Sequence, residues 1–387
     1  MADNEGWTPL HTARSEGYKD LSELLLTHKA NVNQHNKNGW TPLNLACQNG
    51  HKDAVALLLT HQADIDKADN EGWTPLHTTC SEGFKDLSKL LLRHKANVNQ
   101  QNKNGRTPLN LACQDGHKEV VKLLLTYQPD INMADNEGWT PLNVACQDRH
   151  KDGVELLLTY QADINMAYNE GWTPLHNACS EGYKDLSELL LTHKAVVNQQ
   201  NKNGCTPLNL ACQNGHKDVV ELLLTQQADI DKADNEGWTP LHMACSEFYN
   251  DLPELLLTHK ANVNQQNKNG STPLRPACQK GYKDVVELLL THQAHIDKVD
   301  NEGWTPLHMA CSRGYKDLSE LLLTHKANVN QQNKNGSTPL KLACRNGYKD
   351  VVELLLTHQA DVDRADNEGW TPLQTACSKG YKDLSEL

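Results

Sequence analysis

Four histidine–cysteine pairs, His77/Cys80, His176/Cys179, His242/Cys245 and His308/Cys311, stand three residues apart. On a helix that spacing puts two metal-binding groups on one face. Zinc takes four ligands, and alternate copies of the same segment carry Asn, Arg or Lys at the histidine's place, so no metal site is predicted. Twelve cysteines offer disulfide chemistry as well. Nucleophile, base and acid side chains recur in the same order along the chain with no distinct pocket, which singles out no catalytic set. The Asn-Glu-Gly and Asn-Lys-Asn-Gly stretches are turn signals rather than phosphate cradles. Neither catalysis, nor a cofactor, nor a small-molecule substrate is expected.

The elements that carry these residues repeat from end to end. Thr-Pro-Leu occurs twelve times at intervals of 33 residues, from Thr8 to Thr371, with no insertion or deletion. Units start near residues 3, 36, 69, 102, 135, 168, 201, 234, 267, 300, 333 and 366, the last one truncated, and residues 1–387 are expected to form one repeat domain. A second period of 66 residues lies over the first, because odd and even units differ in sequence. The fifth unit breaks the phase, with an odd head at Asp135–Trp139 on an even body.

In the first unit, Thr8 is placed to cap a helix with Pro9 at its first position. Gly17 permits the left-handed turn into a second helix carrying Leu21, Leu24 and Leu25 on one face. Val32 is expected in an extended segment and Asn36–Gly39 in a turn. Helices this short are unstable alone, so each must lean on its neighbours in a quasi-one-dimensional stack. A hydrophobic content of 38% with only two Phe suits units that each bury a thin slice. Eleven cysteines fall on one equivalent site of the first helix. Stacked helices set such sites roughly 8–10 Å apart, beyond the ~7 Å Cα limit for a disulfide, so these are read as buried thiols. Cys205 lies elsewhere, in the loop before Thr206, and is expected to be partly exposed.

The pattern resembles the ankyrin repeat, with its T-P-L-H opening at Thr8–His11, Thr74–His77, Thr173–His176, Thr239–His242 and Thr305–His308. That resemblance implies an all-α repeat solenoid of twelve 33-residue helix-turn-helix units with β-hairpin fingers and a concave surface that grips protein partners. It implies that each histidine bonds near its threonine cap and that the cysteine site is a small packing position. It also puts recognition on the fingers and the exposed side of the first helices. All eight tryptophans immediately precede Thr-Pro-Leu, and Trp7, Trp40, Trp73, Trp139 and Trp172 are candidates for partner contact. The residues before the inter-helix glycine run Glu16, Asn49, Glu82, Asp115, Asp148, Glu181, Asn214, Glu247, Lys280, Arg313, Asn346 and Lys379. A groove negative toward the N-terminus and positive toward the C-terminus is expected from them. Asn132 and Asn165 fit the pattern read by an asparaginyl hydroxylase of ankyrin repeats: a Leu eight residues before, an aliphatic residue just before and an Asp two before.

Formal charge is −12, which gives no general attraction for nucleic acid. No apolar stretch approaches the ~20 residues of a membrane span, and the N-terminus lacks a secretory apolar region. A cytoplasmic or nuclear protein is expected. Met1–Leu10 repeats Met133–Leu142, and Leu387 falls inside an expected helix, which suggests a fragment of a longer array. Arg149 and Phe248 replace the turn glycine, and Pro253 and Pro276 enter helices, so repeats eight and nine are expected to be a soft joint. The leading function is a protein–protein interaction scaffold without catalysis. The alternative is a mechanical or spacer segment of a larger channel, cytoskeletal adaptor or regulatory subunit.

Overall fold

The computed structural model describes residues 2–247, 249 and 251–381. Among these residues there are 23 helices and no strand. First helices of seven or eight residues, such as Pro9–Ser15, alternate with second helices of eight or nine, such as Lys19–Thr27. The chain falls into two compact units, Met1–Ala178 with Tyr183–Val196, and Cys179–Gly182 with Val197–Leu387. Within each unit, first helices pack on first helices and second helices on second helices of successive repeats.

The start of each helix pair follows from its sequence. Thr8 is extended, and its hydroxyl accepts the His11 N–H while the Thr8 N–H donates to His11 Nδ1 at 3.1 Å. Pro9 then supplies a preset φ at a position whose N–H has no helical acceptor. In the next repeat Asn44 does the work of His11: its Oδ1 accepts from the Thr41 N–H at 2.9 Å and from the Thr41 hydroxyl at 2.6 Å. Gly83 shows why the sharp turn between helices needs glycine. Its φ is +74°, and an added Cβ would lie 2.6 Å from the His117 ring of the following repeat. Arg149 holds the same turn at φ 58°, with its guanidinium 5.0 Å over the Tyr183 ring and 3.5 Å from Asp185. The strain of a bulky residue there, roughly 1–2 kcal/mol, is offset in part by these contacts. Phe248 lies outside the described residues, but the cap before it departs from its equivalents: Glu247 is extended, with ψ 159°. In the ninth repeat the helix starts late, at Leu274, with no side-chain cap.

The buried slices are apolar. In the interior helix Lys85–Arg93 the buried residues are Leu87, Ser88, Leu91 and Leu92, an i, i+1, i+4, i+5 face. The Leu21/Leu24/Leu25 face expected in repeat one is therefore displaced: Leu21 and Leu24 are 45% and 56% exposed there, and Leu26 is buried. Helix Lys19–Thr27 packs on Pro9–Ser15 and on Lys52–Thr60 of the following repeat, and these contacts decide which side is covered. The serine in the stripe returns its hydroxyl to its own helix, Ser88 Oγ donating to the Phe84 carbonyl at 3.0 Å, which removes the penalty of a buried unpaired hydroxyl.

The segments between helix pairs are closed turns. Asn36 N–H donates to the Trp40 carbonyl and Gly39 N–H to the Asn36 carbonyl, both at 3.0 Å. Neighbouring turns are tied by one backbone bond per step, Lys37 N–H to Glu5 O and then Asn70 N–H to Asn38 O. A single bond per step builds no ladder, so the expected hairpins form as linked turns, and Val32 sits in a turn rather than an extended segment. Side chains tie the loops as well: Asn33 Oδ1 accepts the Asp64 N–H at 2.7 Å, and Asp66 Oδ1 accepts the Asn97 N–H at 2.9 Å.

Candidate functional site

Ten of the eleven equivalent cysteines are buried; Cys377 is exposed. Burial pushes the Cys80 and Cys311 thiols up to about 12, so they are poor nucleophiles at neutral pH. Cys205 is also buried, at 8% exposure, contrary to the partial exposure expected from its loop. Its pKa rises to about 11, through burial and then the nearby Asp234 carboxylate.

The T-P-L-H histidines are structural. His77 is fully buried, its Nδ1 accepting from the Thr74 N–H and hydroxyl while Nε2–H donates to the Arg106 carbonyl at 3.0 Å. Those roles fix the neutral tautomer. Burial lowers His77, His242 and His308 to about 4, against the opposing pull of the backbone bond. His11, His77, His242 and His308 each link their own cap to a backbone carbonyl of the next repeat, so both ring nitrogens are hydrogen-bonded.

Clefts open beside the caps in each unit. Trp40, Asp69, Trp73, Ser81 and Glu82 line one cleft of about 530 Å³ in the first unit. Its wall is built by cross-repeat bonding: the Trp40 indole N–H donates to Asp69 Oδ2 at 3.0 Å, while Asp69 Oδ1 accepts the Glu71 and Trp73 N–H groups. Trp7 and Glu16 share a smaller cleft of the same kind. In the second unit, Trp238 and Glu247 line a third, of about 620 Å³. Thus the structure brings the candidate indoles Trp40 and Trp73 together with Glu82.

Other candidates are placed differently. Trp139 stacks on Tyr168 with ring centroids 4.0 Å apart, and Trp172 lies 6.5 Å from the same ring, so both are held by neighbours as well as half exposed. Asp115 accepts from the Ser81 hydroxyl at 2.7 Å. Asp148 follows it one repeat on, and its carboxyl is pushed above the ordinary range by burial, with Asp115 adding. Glu181, Lys280, Arg313 and Lys379 are exposed at helix ends. Asn132 Oδ1 accepts the Asp163 N–H and Asn165 Oδ1 the Val196 N–H, both at 2.9 Å, so each amide ties one loop to the next.

The contacts of several charged residues escaped sequence reasoning. Arg275 and Lys341 stand at the histidine's place in their repeats and reach forward to the finger carboxylates Asp300 and Asp366. Their unusual type at a repeated position was the available signal. Arg14 was likewise missed; it occupies the cysteine site of repeat one and is fully buried, and its guanidinium nitrogens have no partner among the described residues.

No helix among the described residues is long and apolar enough to cross a membrane. Comparison with curated proteins gives no match. The family model described as ankyrin repeats (3 copies) matches residues 1–69, 62–135, 81–168, 127–201, 191–267, 246–333 and 320–387. With its capped helix pairs, left-handed turns and end-to-end match, the chain belongs to the ankyrin repeat family.

Proposed function

We propose that the chain is a protein–protein interaction scaffold of twelve repeat units that holds its partner in the clefts between fingers and first helices. Ankyrin repeats are generally protein-interaction modules. The observation that carries the reading is the cleft in which two half-exposed indoles, Trp40 and Trp73, flank Glu82. Tryptophan at a partly open cleft with an acidic rim is the composition of a binding hot spot.

Charge adds selectivity. In the first unit the position before the inter-helix turn is acidic or neutral throughout, Glu16, Asn49, Glu82, Asp115 and Asp148. In the second unit it changes sign, from Glu181 and Glu247 to Lys280, Arg313 and Lys379. A partner with a basic segment suits the first unit, and one with basic and then acidic segments suits the second. The test is affinity capture on the immobilised full chain against a Trp40→Ala/Trp73→Ala variant. The double variant is expected to lose a captured protein by at least about tenfold, the ~2 kcal/mol scale of a hot-spot indole. Equal recovery of the same protein on both would refute the cleft as the site.

Asn132 and Asn165 are proposed substrates of an asparaginyl hydroxylase. Mass spectrometry of the enzyme-treated chain is expected to show a +16 Da species, roughly one oxygen atom, on their peptides. Unmodified peptides after exhaustive treatment end that proposal.

A further inference from the structure

The finger carboxylate at the step from one repeat to the next usually receives an internal donor. Asp69 takes the Trp40 indole N–H, Asp135 takes Arg106, Asp300 takes Arg275 and Asp366 takes Lys341. Asp234 is the equivalent residue in the eighth repeat. Its Oδ1 accepts the Glu236 and Trp238 N–H groups, as Asp135 Oδ1 accepts those of Glu137 and Trp139. Its second oxygen receives no donor among the described residues. The residue 29 before it is Cys205, and Asn209, 25 before it, spends its amide on the Lys232 carbonyl at 3.1 Å.

The Arg106 site shows what is missing. There one guanidinium is held by Asp135 Oδ2 at 3.4 Å and by Gln114 Oε1 at 2.7 Å, and it lies close enough to Asp148 to lower that carboxyl against the upward push of burial. Residue by residue, 99 positions further on, the acceptors persist: Gln213 for Gln114, Asp234 for Asp135 and Glu247 for Asp148. The cation has gone, since Cys205 stands where Arg106 would be, and Glu247 is extended (ψ 159°) where Asp148 is not (ψ 10°), which leaves Gln213 and Asp234 as the matching acceptors. Asp234, Gln213, Glu247, Trp238 and Cys205 all line the 620 Å³ cleft of the second unit. The short thiol leaves the arginine's space open, and the half-exposed Trp238 ring offers a face on which a guanidinium can stack.

We propose that this cleft takes the guanidinium of an arginine side chain presented by a partner protein, with Asp234 and Gln213 as its acceptors. The inference rests on the protein-binding reading and names the chemistry of one subsite. Arginine fits better than lysine, because two acceptors set apart on a wall match a planar fork rather than a point charge.

The test is NMR titration of the full chain, labelled at the tryptophan indoles, with acetyl-Gly-Arg-Gly-amide, and with the lysine and norleucine versions as controls. The arginine peptide is expected to shift the Trp238 indole signal saturably, the lysine peptide more weakly and the norleucine peptide not at all. Cys205→Arg supplies the guanidinium from within, as Arg106 does, and is expected to abolish the shift. Asp234→Asn is expected to weaken binding about tenfold by removing the charge from the main acceptor. Should Cys205→Arg disturb the fold, Gln213→Ala, an exposed change, is expected to weaken the arginine peptide and narrow its margin over lysine. Unchanged titration in Cys205→Arg or Gln213→Ala, or equal shifts from norleucine, would overturn the proposal. If Trp40 and Trp73 prove essential for capture while Trp238 ignores the peptide, the subsite fails and the protein-binding reading stands. A responsive Trp238 with capture indifferent to Trp40 and Trp73 has the opposite meaning.

Discussion

Replacing His77, His242 and His308 together by Asn is expected to abolish most of the chain's sensitivity to mild acid. Each of these imidazoles is held neutral, with Nδ1 accepting from its threonine cap and Nε2–H donating to a carbonyl 29 residues on. Folded, they take a proton only near pH 4; unfolded, they do so near 6.5. Between those values the unfolded chain binds more protons, so stability falls as pH falls. The contribution is whole above about pH 6.5 and is lost progressively toward pH 4, on the order of 3 kcal/mol for each histidine. Asn110 and Asn143 show that an amide can make the same cap bonds without titrating. Circular dichroism between pH 7 and 4 is expected to show clearly more helix loss in the parent than in the triple variant, which keeps His11, also lowered by burial. Coincident curves contradict the assignment. Carboxylates titrate in both proteins and drop out of the difference.

Arg14→Cys is expected to stabilise repeat one. Every other repeat carries cysteine at this core site, and Arg14 places a guanidinium there with Nε, Nη1 and Nη2 unpartnered. Burial draws its pKa down to about 10, so it stays charged at neutral pH. A buried charge without an acceptor costs roughly 3 kcal/mol. An array of repeats does not unfold as one two-state body, so the gain is read locally. Amide exchange in Pro9–Ser15 and Lys19–Thr27 is expected to slow by about a hundredfold, and faster exchange contradicts the burial argument.

Much of this was legible in the residues, because each repeat is built locally. Thr-Pro-Leu with His or Asn next encodes the cap, glycine encodes the sharp turn, and a 33-residue period encodes the neighbour. Lys29, Gln62 and Lys95, just past the ends of second helices, are left-handed, with φ of 62°, 62° and 71°. What stayed hidden depends on contacts between repeats. Cys205 looked open because other repeats carry Trp, Arg or Ser at its place in the loop, yet the packing there leaves it 8% exposed. The pairings of Arg275 with Asp300 and of Lys341 with Asp366, each 25 residues on, form only when the next repeat stacks in place. The fingers are linked turns that bond once per step, with no strand among the described residues, and sequence alone does not count such bonds.

The central claim, that partners sit in the clefts of fingers and first helices, is tested most directly by hydrogen exchange on the full chain with and without a captured partner. New protection is predicted in the Trp40 and Trp73 turns and at the ends of Pro42–Gln48 and Pro75–Ser81. Protection confined to the second helices, such as Lys52–Thr60 and Lys85–Arg93, would place the partner on the opposite side and contradict the account.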